Sequence, residues 1–246
     1  MLPKTVSSLQ HPFVKYCLKL RTNKSFREQE KKVLVFGSKI ISELSSFGIV
    51  DAVLETYLHT TCSNTKTSYI VTEDIIKKIS GMPCPEPVAA VVSIPESKDI
   101  SLLDYVLILD GISDPGNLGT LLRTALALGW QGAFLLDGCC DPYNDKALRA
   151  AKGATFLLPF AKGSIDDLKV ILQKKQRALY LADLDGQPFY EIGATPPLAL
   201  AMGSESHGPR EELKELFTPI SIPMKGPMES LNVAIAASIL MQHLRG

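Results

Sequence analysis

The sequence predicts an α/β protein in two parts, the second built on a parallel sheet. Three observations carry this. From Leu102 onward, short runs of Val, Ile, Leu and Ala alternate with longer amphipathic stretches, as strands covered by helices on both faces do. The 246 residues are 46% hydrophobic, enough for one large or two modest cores. The stretch Gly81–Tyr105 packs four prolines around one β-branched run and turns polar at Pro95–Asp99, which marks a domain boundary. The expected division is residues 1–95, a linker at 96–101, and 102–246.

In the first part, Val6–Leu20 reads as a basic helix and "KKVLVFG" as a strand. Ser38–Phe47 reads as a helix with Ser38 as its N-cap. "DAVLET", "SYIVT" and "AAVVSI" follow as short strands, with a helix near Thr72–Ser80 between the last two. In the second part the strand candidates are "YVLILD" (105–110), "GAFLLD" (132–137), "RALYLADL" (177–184), "LALAMG" (198–203) and "PISIPM" (219–224). Ligands of parallel sheets bind outside the carboxyl ends of the strands. The loops after Leu109, Ala201 and Ile222 are therefore where chemistry is expected.

Charge and cysteine usage narrow the class. Lys plus Arg and Asp plus Glu are both 26, but residues 1–32 hold eight basic side chains against two acidic ones. That local surplus suits a phosphate-rich partner or, equally, a solvated basic helix. The five cysteines form no CxxC pair, so neither a disulfide framework nor a zinc site is expected, and no metal is. The N-terminus has no apolar leader and no long uncharged apolar run occurs; a cytoplasmic protein outside the membrane is expected.

Each of the three loops supports two readings on spacing alone. In "LDGISDPGNLGTLLRTALALGW" a strand ends and a turn leads into a helix, with Asn117 as its N-cap and Arg123 close to the helix start. This is a phosphate site or an ordinary strand–turn–helix with a solvated Arg. Neither G-x-G-x-x-G nor the P-loop pattern is present. In "ALAMGSESHGPREEL" a small-residue strand ends at Gly203 and Glu205 follows: a ligand lying against backbone with a carboxylate nearby, or a turn before an acidic helix. His207 reads as a solvated loop residue rather than a general base. In "ISIPMKGPMESLNVAIAAS" the helix alanines fit plain close packing, which does not account for Ser230 and Asn232 in the first turn.

Taken together, the three loops resemble the SpoU/TrmH-type RNA ribose 2′-O-methyltransferases of the SPOUT superfamily. The first matches "LDxxxDPxNxGxxxRTAxxxG" through Asp110, Asp114, Pro115, Asn117, Gly119, Arg123, Thr124, Ala125 and Gly129. The second matches "GxExxG" through Gly203, Glu205 and Gly208. The third matches "IPMxGxxxSLNVxxA" through Ile222, Pro223, Met224, Gly226, Ser230, Leu231, Asn232, Val233 and Ala236. "ALRAAKGATFLLPF" resembles the family's connecting segment, although Ala151 stands where a serine is common.

The resemblance implies a deep trefoil knot in residues 102–246, a homodimer, and S-adenosylmethionine as cofactor. It places Gly203, Ile222, Met224 and Leu231 at the cofactor, and Arg123, Asn117, Glu205, Ser230 and Asn232 in the catalytic region. It makes residues 1–95 an RNA-binding domain, although Phe36 replaces the usual acid before Gly37. The implied substrate is a ribose 2′-hydroxyl in large-subunit ribosomal RNA. Transfer RNA as the substrate, or an RNA-binding relative without activity, are the alternatives.

Overall fold

A computed structural model describes residues 3–56, 67–193, 195–204 and 208–246. The chain divides into two compact units, Met1–Glu96 with Tyr143–Phe156, and Ser97–Pro142 with Leu157–Gly246. The segment Tyr143–Phe156, assigned from sequence to the second domain, thus groups with the first unit.

The first unit begins with β1 (Lys4–Val6), α1 (Pro12–Thr22), α2 (Lys24–Glu30), β2 (Lys32–Phe36) and α3 (Ser38–Ser46). It continues with β3 (Val50–Glu55), β4 (Thr67–Val71), α4 (Glu73–Ser80) and β5 (Val88–Ser93). The five strands form one mixed sheet in the order β1-β4-β3-β5-β2. The expected helix Val6–Leu20 is shorter and later. Pro12 at its first position fixes the start, and His11 caps it by accepting from the Phe13 N–H. Ser38 is the first residue of α3 rather than its cap. Gly37 holds the cap position at φ +113°, and the Ser38 N–H donates to Glu86 Oε2 at 3.0 Å. Val14, Cys17 and Leu20 of α1 and Ile75, Ile76 and Ile79 of α4 bury against Leu34, Leu54 and Val91 of the sheet.

The chain then forms β6 (Tyr105–Leu109), α5 (Pro115–Ala127), β7 (Gly132–Leu136), α6 (Asp145–Ala151), α7 (Ala154–Leu157), β8 (Phe160–Gly163) and α8 (Ile165–Gln173). β9 (Ala178–Pro188), β10 (Leu198–Met202), α9 (Glu211–Leu216), β11 (Thr218–Ser221) and α10 (Val233–Arg245) complete it. The second unit's six strands run in the order β11-β9-β10-β6-β7-β8, every neighbouring pair parallel. Every residue of β6, β7 and β10 is buried, because helices cover both faces. Val106, Ile108, Phe134, Ala199 and Ala201 pack with Leu168 of α8 and Leu213 of α9. The alternate residues point to the opposite face, where α5 and α10 pack together.

Two departures from regularity shape the site. The β9–β11 ladder jumps from Pro219↔Leu181 to Ile220↔Gln187, so residues 182–186 bulge out of the pairing. β11 ends at Ser221 rather than running to Met224, since Pro223 has no N–H to give a ladder. Ile222 onward leaves the sheet. Among the described residues no helix is long and apolar enough to cross a membrane.

Candidate active site

Strand order reverses at β10, which sits between β6 and β9. Beside that reversal, at the carboxyl ends of β10 and β11, lies a cavity of about 340 Å³. Open parallel sheets bind ligands at such a place, and the volume is within the range of small-molecule sites. Gly203, Ile222, Met224 and Leu231 all line it, and so does Ser230. Gly203 and the group from Ile222 to Leu231 come from two segments that converge because β10 and β11 both empty into one corner. Ile220 and Leu240 add aliphatic wall. The bulged residues Asp183 and Leu184, and Lys214 of α9, also line the cavity. The sequence reading missed Asp183 and Leu184 because the bulge depends on the β9–β11 register, and Lys214 because it lies on a helix outside the three motif loops. Lys214 donates to Glu211 at 2.8 Å, and that bond and charge hold its ammonium pKa up.

Gly203 is required here by close approach. A Cβ at this position would lie 2.4 Å from the Pro209 nitrogen and 2.7 Å from the Gly208 carbonyl carbon. The chain after β10 therefore returns directly over Gly203, closing through an isolated bridge between Ser204 and Gly208. Glu205 and His207 lie outside the described residues.

Two of the catalytic candidates, Asn117 and Asn232, meet at the starts of α5 and α10. Asp114, with Pro115 at the first helical position, caps α5 by accepting from the Asn117 N–H at 2.9 Å. Asn117 is thus in the first turn and is not the cap, as the sequence suggested. Asn232 caps α10, its Oδ1 accepting from the N–H groups of Ala234 (3.0 Å) and Ile235 (3.4 Å). Its Nδ2 donates to Asn117 Oδ1 at 3.1 Å. Arg123 is the ninth of the 13 residues of α5, past its middle rather than near its start. It is exposed, and among the described residues it has no hydrogen-bond or ion-pair partner. It is absent from the cavity lining.

Three of the described cysteines are poor nucleophiles. Cys139 donates to the Leu109 carbonyl at 3.2 Å, and burial pushes its thiol pKa up. Burial also pushes Cys140 up to about 11 and Cys17 to about 12, so these thiols stay protonated and weakly nucleophilic at neutral pH. Among the described residues no group of three His, Cys, Asp or Glu side chains is placed to hold a metal ion.

Residues 104–242 match the model of the SpoU rRNA Methylase family. The chain belongs to the SpoU rRNA methylase family. The 23S rRNA (guanosine(2553)-2′-O)-methyltransferase RlmP of Bacillus subtilis (strain 168) is 35% identical over 249 residues, covering 99% of this chain and 100% of that protein. An AdoMet-bound rRNA methyltransferase from Sinorhizobium meliloti superposes with a TM-score of 0.90 at 27% identity, over 98% of this chain and 97% of that one. The SpoU methyltransferase AviRb from Streptomyces viridochromogenes gives a TM-score of 0.86 at 25% identity, over 96% of both chains. The SpoU match spans all three loops on which the family resemblance rests.

Proposed function

We propose that this protein transfers a methyl group from S-adenosylmethionine to a ribose 2′-hydroxyl in large-subunit ribosomal RNA, in the cytoplasm. The observation that supports this reading most is one cavity, at the carboxyl ends of β10 and β11, lined by Gly203, Ile222, Met224, Ser230 and Leu231. Its aliphatic walls and glycine backbone fit a ligand with a flat apolar part and a few polar groups. When bound, the cofactor supplies an electrophilic methyl group on a sulfonium.

The chain's own residues have three tasks. The first is alignment, since a weakly nucleophilic hydroxyl must be held in line. Asn117 and Ser230 orient the ribose, with Asn232 holding Asn117 in place. The second is neutralisation of the RNA phosphate next to the reacting ribose. Arg123 does this, because an exposed guanidinium matches a phosphate with two parallel donors. The third is removal of the hydroxyl proton. A guanidinium is never deprotonated in proteins, so the proton leaves through the phosphate or water while Arg123 stabilises the charge.

The RNA is held by residues 1–95. The working form is a homodimer, consistent with Ile235 of α10, 53% exposed one turn from Asn232. The C-terminal segment threads a knot.

The test is transfer of labelled methyl from S-adenosylmethionine to ribosomal RNA by the full chain and its Arg123 variants. Arg123→Ala lowers transfer by about a hundredfold or more, the scale for removing a positioned charge donor. Arg123→Lys keeps the charge but loses the fork, and lies between. Transfer by Arg123→Ala at the wild-type rate would remove the assignment.

A further inference from the structure

Arg210 has no part in the reaction outlined above, and it lies one residue beyond Pro209 of the cavity wall. Its guanidinium donates to Asp110 Oδ1 through Nε (2.8 Å) and Nη2 (2.5 Å). Its backbone N–H donates to Oδ2 of the same carboxylate at 3.0 Å. Nη2 also donates to the Asp137 carbonyl at 3.0 Å. The Asp110 side chain is only 6% exposed, directly after β6, and its N–H donates to the Met202 carbonyl at the end of β10 at 2.9 Å. Asp137 directly follows β7. The Arg210 side chain thus ties the carboxyl ends of β6 and β7 to the segment that returns over Gly203, while the Asp110 backbone links β6 to β10.

Only the carboxylate of this pair is buried, Arg210 being 28% exposed, and the desolvation of Asp110 offsets part of the attraction, so stability alone does not explain the arrangement. Three bonds to one carboxylate do something apolar packing does not: they fix direction. The segment so fixed, Gly208–Pro209, is a wall of the cavity and the partner of Gly203. We infer that Arg210, held by Asp110, is the positioning residue of the cofactor cavity, setting the distance between the Gly208–Pro209 wall and Gly203. The inference rests on the methyltransferase reading for the identity of the ligand, though not for the clamp itself.

Arg210→Lys, Arg210→Ala and Asp110→Asn in the full chain provide the test, with two readouts. The first is amide hydrogen exchange at Gly208 and Arg210 without cofactor. The second is calorimetric affinity for S-adenosylmethionine, measured beside the KM for RNA. Arg210→Ala is expected to weaken cofactor binding about tenfold or more, tenfold being about 1.4 kcal/mol of binding free energy. Arg210→Lys weakens it less, the KM for RNA holds, and exchange quickens at both amides. Wild-type cofactor affinity in folded Arg210 variants would overturn the inference, whatever their thermal stability. If Arg210→Ala does not fold, Arg210→Lys decides. If the wild-type chain itself takes up no S-adenosylmethionine, the methyltransferase reading falls, and unchanged exchange in Arg210→Lys would then overturn the clamp separately.

Discussion

Asn232 has two tasks, and its amide makes both possible. The oxygen caps α10 and the nitrogen reaches Asn117. Substitutions separate them. Asn232→Ala loses both, costing about 1 kcal/mol of stability for the cap as well as activity. Asn232→Asp keeps the capping oxygen and adds a charge favoured at a helix N-terminus, but loses the donor to Asn117. Chemical denaturation is expected to show near-wild-type stability for Asn232→Asp while its methyl transfer falls with that of Asn232→Ala. Equal loss of stability in both would mean that the amide nitrogen matters to the fold. The polar turn at Ser230–Asn232 was legible in sequence because packing does not explain it. The cap of α5 was also legible, in Asp114-Pro115, since proline at the first helical position sets the cap one residue earlier; Asn117 drew attention away from it. The cap of α3 was not legible, because Glu86 lies 48 residues from Ser38.

At the scale of elements, the central strands could be read because burial on both faces writes them as unbroken apolar runs. β8, "FAKG", sits at the sheet edge, where exposure leaves too little pattern to detect. β1 has three residues, too few to show alternation. The β9 bulge follows from register against β11, which no local signal specifies. It brings Asp183 and Leu184 to the cavity. Close backbone packing at the end of β10 is tested by Gly203→Ala. The added carbon meets backbone at 2.4 Å rather than a flexible side-chain end, so the Gly208–Pro209 wall must shift. Calorimetry with S-adenosylmethionine is expected to show binding lost or weakened by about a hundredfold. Gly226→Ala, with nothing within 4 Å of its added carbon, is expected to bind nearly normally.

For the whole molecule, the family was legible because three motifs keep their order across residues 102–246. The basic surplus of residues 1–32 was less informative than it looked. Arg27 is buried and donates to the carbonyls of Leu20 and Arg21, closing the end of α1. Arg21 is committed to the Ser80 carbonyl at 2.6 Å. Lys15, Lys19 and Lys24 are exposed, and Lys15 and Lys19 are one turn apart on α1. Replacing all three with Gln is expected to weaken RNA binding and to lower the slope of log affinity against log salt by about one for each lysine that contacts phosphate. An unchanged slope would move the RNA-binding role away from α1 and the start of α2.

Methylation of a ribose in large-subunit ribosomal RNA leaves a mark that can be located in cells. The most direct measurement is a map of 2′-O-methyl positions in ribosomal and transfer RNA from cells with and without the protein, with the Arg123→Ala chain restored to the deficient cells as a control. One position in large-subunit ribosomal RNA is expected to disappear without the protein, return with the wild-type chain, and stay absent with Arg123→Ala. A lost position in transfer RNA alone, or no lost position in either RNA, would contradict this expectation.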